Sequence, residues 1–211
     1  GKRKYQIPGG RNIKKALSKA DLKKLLEHKL PEDSLLKKAR DFWFFSYVCS
    51  GMNMKDIAEL KWENVSAETI TYIRSKTKHT TRTNQKSIIV MLTPFAQNVI
   101  KMYGLERKPK GYVFPVLSDN MTAREKLSSV QAFTRFVNQH IKRLAKELGI
   151  TGEISTYWAR HSYTTVAIRN GASMEFIQES LGHASMQTTM NYWGGFEERA
   201  KKEIAETLLN F

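Results

Sequence analysis

Three side chains near the end of the sequence, Arg160, His183 and Tyr192, are of the types that can cut a phosphodiester without a metal. Such a cut needs a nucleophile, donors for the charge that builds on the phosphate oxygens, and an acid for the departing sugar oxygen. A tyrosine hydroxyl can attack phosphorus. An arginine offers a planar fork of two parallel hydrogen bonds and keeps its charge at any working pH. An imidazole can bind a phosphate oxygen or orient the nucleophile. Taken singly, each has an ordinary alternative: an ion pair, a core histidine, a half-buried phenol. The ordered set argues for chemistry, with His183 lying 23 residues after Arg160 and nine before Tyr192.

These residues must be held by helices. Residues 156 to 170 read as a helix ended by Asn170-Gly171, with Tyr157, Arg160, His161 and Thr164 on one side. Ala159, Tyr163, Val166 and Ala167 occupy the other, so the expectation is that the second face packs and the first meets phosphate. A helix over 173 to 181 stops at Gly182, which sets His183 at the start of a new turn. Thr188 to Tyr192 is a short polar helical stretch before Trp193-Gly194-Gly195.

Upstream, Ser18 caps a helix with Asp21 three residues on, running to about Lys29 with Leu22, Leu25 and Leu26 as its apolar stripe. Residues 35 to 48 are apolar on nearly every side, as for a helix through the centre of a domain. A short helix over 54 to 60 follows the Ser50-Gly51 break. Alternation with β-branched residues then predicts strands at 69 to 74 and 87 to 92. The polar, basic stretch 75 to 86 joins them as a hairpin loop. Pro94 opens another helix, and Phe133, Phe136, Val137, Ile141, Leu144 and Leu148 mark one over 128 to 148. The fold class is therefore mainly α with a small antiparallel β-sheet.

The chain has 211 residues and 41% hydrophobic content, ample for a core. Its one cysteine, Cys49, cannot close a disulfide within the chain, and no long apolar run or secretory signal is present, so a cytoplasmic setting is expected. The formal charge of +15 favours a polyanionic partner, because basic side chains displace condensed counterions from nucleic acid. The charge is concentrated: ten basic and two acidic residues in 1 to 30, and six basic and no acidic residues in 69 to 105. Residues 1 to 16 read as a basic linker from a missing N-terminal DNA-binding region. Residues 17 to 211 read as one catalytic domain with a tail helix in 196 to 211.

In their order and spacing, Arg160-His161-Ser162-Tyr163-Thr164-Thr165, Leu181-Gly182-His183-Ala184-Ser185 and Thr188-Thr189-Met190-Asn191-Tyr192 resemble motifs of the tyrosine recombinases, the site-specific integrases of phages and integrative elements. The resemblance covers nearly the whole chain. It implies a metal-independent reaction, with no cofactor, in which the tyrosine attacks a phosphate of double-stranded DNA and forms a 3′-phosphotyrosyl bond. The freed 5′-hydroxyl then attacks a partner strand, within a tetramer on two DNA sites. It also implies that Lys76, in Ile73-Arg74-Ser75-Lys76-Thr77, is the general acid. Tyr157 and His161 on the helix, and Lys78 and Arg82 in the basic loop, read as DNA contacts.

Two positions depart from the family pattern. Where the family carries a first arginine this chain has Ser50-Gly51-Met52-Asn53, with Asn53 at the arginine's place. Losing a preorganised charge donor typically costs on the order of 10² to 10³ in rate. Arg74 either supplies the missing guanidinium from the strand face it shares with Lys76, or contacts the DNA backbone with no catalytic part. Tyr157 stands where the family more often has histidine or lysine, and a phenol is a poor base at neutral pH. Three functions stay open: a DNA strand transferase, a DNA-binding module that has lost cutting, and a relaxing topoisomerase. The tail helix can pack in its own domain or on a neighbouring protomer.

Overall fold

A computed structural model describes residues 16–76, 86–183 and 185–190. Eight α-helices and one two-stranded sheet occur among them: α1 (Lys19–Glu27), α2 (Leu35–Val48), α3 (Met54–Ala58), β1 (Thr69–Tyr72), β2 (Ile88–Met91), α4 (Pro94–Tyr103), α5 (Ala123–Glu147), α6 (Thr156–Arg169), α7 (Met174–Leu181) and α8 (Met186–Met190). The mainly helical fold with a small antiparallel sheet is as the sequence predicts. Residues 1–15 of the expected linker, the loop residues Lys78 and Arg82, Tyr192 and the tail helix lie outside the described residues.

Ser18 caps α1, its hydroxyl accepting from the Asp21 N–H. Leu22 and Leu25 are buried, whereas Leu26, expected on the same stripe, is exposed. α2 is the central helix. Its Phe42 meets Phe114 and Phe133 edge-on, at ring separations of 5.0 and 4.9 Å. The Trp43 indole N–H reaches the Ser155 carbonyl at 2.9 Å, tying α2 to the start of α6.

α2 is not apolar throughout, as the sequence suggested. Lys37, Arg40 and Asp41 are buried as well. Their charges are compensated: Lys37 bonds Asp41 at 3.0 Å, Arg40 lies 3.4 Å from it, and the Tyr103 hydroxyl donates to the same carboxylate at 2.9 Å. Removing Asp41 would leave two buried cations without their shared partner, a loss that typically costs about 3–5 kcal/mol.

β1 and β2 pair antiparallel, with Ile70 opposite Val90 and Tyr72 opposite Ile88. These four form the inner face, and Thr71, Ile89 and Met91 face outward. β1 ends at Tyr72, two residues short of the expected strand. Arg74 and Lys76 therefore follow the strand, and alternation does not put them on a common face. The reason is a competing set of bonds. The Ser75 N–H donates to Asp56 at 2.8 Å, and its hydroxyl donates to Glu59 at 2.6 Å, so the chain turns onto α3 and leaves the ladder.

Candidate active site

Arg160 sits on the second turn of α6 and is only 2% exposed. Its Nη1 donates to the Gly51 carbonyl at 3.1 Å and its Nη2 to the Leu181 carbonyl at 2.6 Å. Nη2 also lies 3.1 Å from Nε2 of His183. The guanidinium is thus held from three directions: the turn after α2, the end of α7, and the imidazole. Its Nε is buried and meets no hydrogen-bond acceptor among the described residues.

The turn is shaped to let this happen. Ser50 and Gly51 both have left-handed backbone, at φ 55° and 68°. A Cβ on Gly51 would stand 2.7 Å from Arg160 Cγ and 2.8 Å from its Cα, closer than real Cβ contacts come. Only glycine lets the α6 backbone pass this close while giving its carbonyl to the guanidinium.

His183 follows Gly182, the left-handed C-cap of α7. Gln178 clasps its backbone, accepting from the His183 N–H at 3.0 Å and donating through its side chain to the His183 carbonyl at 3.2 Å. The imidazole Nδ1 lies 3.0 Å from the hydroxyl oxygen of Thr189, which is fully buried on α8. Burial holds the His183 pKa well down, at about 4, helped by the positive charges of Arg160, Arg74 and Lys76. The ring is neutral at physiological pH.

Lys76 is exposed and Arg74 is half-buried in the turn leaving β1. A Cβ on Gly182 would lie 3.8 Å from Arg74 Cδ, so the arginine stem passes beside the residue that precedes His183. The structure brings together Arg160, His183, Arg74 and Lys76, from α6, the end of α7 and the hairpin. Asn53 is elsewhere engaged. It stands at the N-cap position of α3 without a side-chain capping bond, and its amide reaches the Asp56 carboxylate at 3.5 Å.

The two-face reading of α6 holds for Ala159, which is fully buried, and for Tyr157, which is exposed, but fails for the rest of the polar face. Arg160, His161 and Thr164 are buried, and Tyr163, Val166 and Ala167 are only partly so. The polar face packs because its partners are the polar Gly51 turn and the α7 terminus, and not apolar side chains. His161 is 3% exposed, beneath Tyr157, whose ring meets it edge-on at 4.4 Å. Tyr157 itself is 44% exposed at the first turn of α6.

The sequence did not point to Gly51 and Leu181, which act through main-chain oxygens and leave no side-chain signature. Thr189 and the Asp56–Glu59 anchor were within reach. Thr189 stands three residues before Tyr192, and the two acids share one face of a short helix beside a basic loop.

Comparison with known proteins then settles the family. The model of the phage integrase family matches residues 15–199. The chain belongs to the phage integrase family. Among curated relatives, tyrosine recombinase XerD of Listeria innocua is 26% identical over 183 residues, covering 86% of this chain and 58% of that protein. Tyrosine recombinase XerA of Thermococcus kodakarensis is 26% identical over 182 residues, with the same coverages. The chain therefore spans less than two thirds of these family members.

Among solved structures, XerA recombinase superposes with a TM-score of 0.60 at 22% identity, over 91% of this chain and 64% of that one. XerH recombinase bound to its difH substrate gives 0.58 at 21%, over 92% and 54%. The Tn1549 transposon integrase in complex with transposon right end DNA gives 0.55 at 13%, over 92% and 65%. At these identities the likeness is one of fold: the helices and small sheet are those of a tyrosine recombinase catalytic domain. No described helix is long and apolar enough to cross a membrane.

Proposed function

We propose that this chain is the catalytic domain of a site-specific DNA recombinase that cuts and rejoins double-stranded DNA through Tyr192. The observation that carries the reading is the Arg160–His183 pair: a buried guanidinium, fixed by two carbonyls, with an imidazole 3.1 Å away and one donor still unmet among the described residues. Preorganised, partly desolvated donors of this kind are what a developing phosphorane charge requires.

In this mechanism the Tyr192 oxygen bonds to phosphorus and the bond from phosphorus to the 5′-oxygen breaks. As Arg160 Nη2 shifts its N–H from His183 Nε2 to a phosphate oxygen, the freed lone pair of the neutral imidazole takes the phenol's proton, and Lys76 gives a proton to the leaving 5′-oxygen. Arg160 and Arg74 hold the non-bridging oxygens. Arg74 stands in for the arginine that Asn53 replaces, which its position beside Gly182 and its charge on His183 support. The 3′-phosphotyrosyl bond retains the energy needed for attack by a 5′-hydroxyl of the partner strand, so neither metal nor nucleotide enters the balance.

Tyr157 contacts a phosphate oxygen from its exposed position, and His161 supports that ring from below. Lys78 and Arg82 extend the basic hairpin along the DNA. Strand exchange takes place in a tetramer on two sites.

A second reading, a DNA-binding module that no longer cuts, is favoured by one observation, Asn53 at the place of the first arginine. One experiment separates the two. The chain is incubated with a pool of singly nicked duplexes, randomised around the nick, and run on a denaturing gel. A covalent protein–DNA adduct that vanishes in Tyr192→Phe is the expected result. Binding by gel shift with no adduct supports the module.

A further inference from the structure

The hydroxyl of Thr189 has no place in the reaction as written, yet it is one of few polar side chains shielded completely from solvent, and its partner is a catalytic candidate. We infer that Thr189 is a positioning residue that fixes His183 in its Nδ1–H tautomer and thereby leaves Nε2 as a proton acceptor at the reacting centre.

The argument follows from donor and acceptor inventory. A guanidinium has only donors, so at 3.1 Å from Arg160 Nη2 the His183 Nε2 must present its lone pair. A neutral imidazole then carries its proton on Nδ1. That N–H points at Thr189 Oγ1, 3.0 Å away, and the hydroxyl accepts it. Among the described residues Arg160, Arg74 and Lys76, all cations, act on the ring, and each resists a second proton there. Gln178 fixes the backbone of His183 from both sides, through its own carbonyl and its side-chain amide. Without a partner at Nδ1 the ring could turn over and present an N–H where a base is needed.

Thr189 lies on α8, which ends at Met190, two residues before Tyr192. One short helix thus carries both the group that orients the base and, just beyond it, the nucleophile whose proton the base receives. The catalytic consequence rests on the recombinase reading above, but the tautomer assignment does not.

The test uses the full chain labelled with ¹⁵N at histidine. Long-range proton–nitrogen spectra at neutral pH are compared for the parent, Thr189→Val and Thr189→Ser, with His183→Gln to assign the signals. The parent should show a protonated Nδ1 and an unprotonated Nε2. Thr189→Val should shift population to the Nε2–H form and Thr189→Ser should restore the parent pattern. Thr189→Ala takes the place of the valine variant should that fail to fold. A parent ring protonated at Nε2, or a tautomer unmoved by both hydroxyl deletions, overturns the assignment.

Adduct formation on the nicked-duplex pool is measured in parallel. Loss of the hydroxyl should slow it roughly ten- to hundredfold, the range known for outer partners that orient a metal-bound imidazole, and the serine variant should run near the parent rate. A shifted tautomer with an unchanged adduct rate defeats the catalytic role. A shifted tautomer with no adduct even from the parent leaves the Thr189 assignment standing and defeats the recombinase reading.

Discussion

At Arg74 the question is whether a guanidinium reaching in from the hairpin can do what the turn after α2 does in most of the family. Its stem lies along Gly182 and its charge is felt at His183, so it is within the electrostatic reach of the site. Deleting one preorganised donor typically costs on the order of 10² to 10³ in rate. Arg74→Ala should therefore slow adduct formation by about that factor while gel-shift affinity changes little. Equal losses of binding and rate would make it a backbone contact instead. His183 supports a second prediction, with a definite sign. Its folded pKa of about 4 lies below the ordinary 6.5, so between those values the unfolded chain binds more protons than the folded one. Stability then falls as pH drops from about 6.5 toward 4, and is unaffected by this group above 6.5. His183→Gln should flatten that part of the stability–pH curve measured by urea unfolding; an unchanged slope would refute the shift.

Among the elements, those whose signal is local were the most readable. The Ser18 cap, the run of α2 and the alternation of β2 follow from short-range rules, and each forms where the sequence puts it. Errors came where partners are distant or are not side chains. α6 has no apolar stripe, and its polar face is buried because a glycine turn 109 residues away supplies a carbonyl to Arg160. The strand was overextended because Asp56 and Glu59, from another element, capture Ser75. Buried Lys37 and Arg40 were hidden for a similar reason, since hydrophobic periodicity does not report a charge compensated by its own helix. The Gly51 turn makes an element-scale prediction. Gly51→Ala adds a methyl into the α6 backbone and an unfavourable φ, so it should destabilise the domain by about 1–3 kcal/mol in chemical denaturation. It should also reduce adduct formation beyond what stability explains, because Arg160 loses its register. A variant equal to the parent in both would mean that the turn yields without moving the guanidinium.

Over the whole molecule, charge is the property read most directly from composition, and it makes a quantitative claim. The excess of +15 is uneven, with six basic and no acidic residues in the stretch from 69 to 105 that includes the hairpin. Phosphates neutralised by lysine and arginine release counterions, so log K should fall linearly with log salt, at about 0.9 per contact on duplex DNA. About six contacts would weaken binding roughly 10³-fold between 50 and 200 mM salt. This slope carries no information on sequence preference, since phosphate contacts position a protein without specifying bases. Its partition does carry information. Replacing Lys76 by glutamine should lower the slope by about one contact and slow leaving-group departure, whereas replacing Lys126, on the first turns of α5, should leave adduct formation alone. Fluorescence anisotropy with a short duplex across that salt range measures the slope. A flat dependence would show that the basic excess serves solubility and that DNA, if bound at all, is held by something other than its backbone.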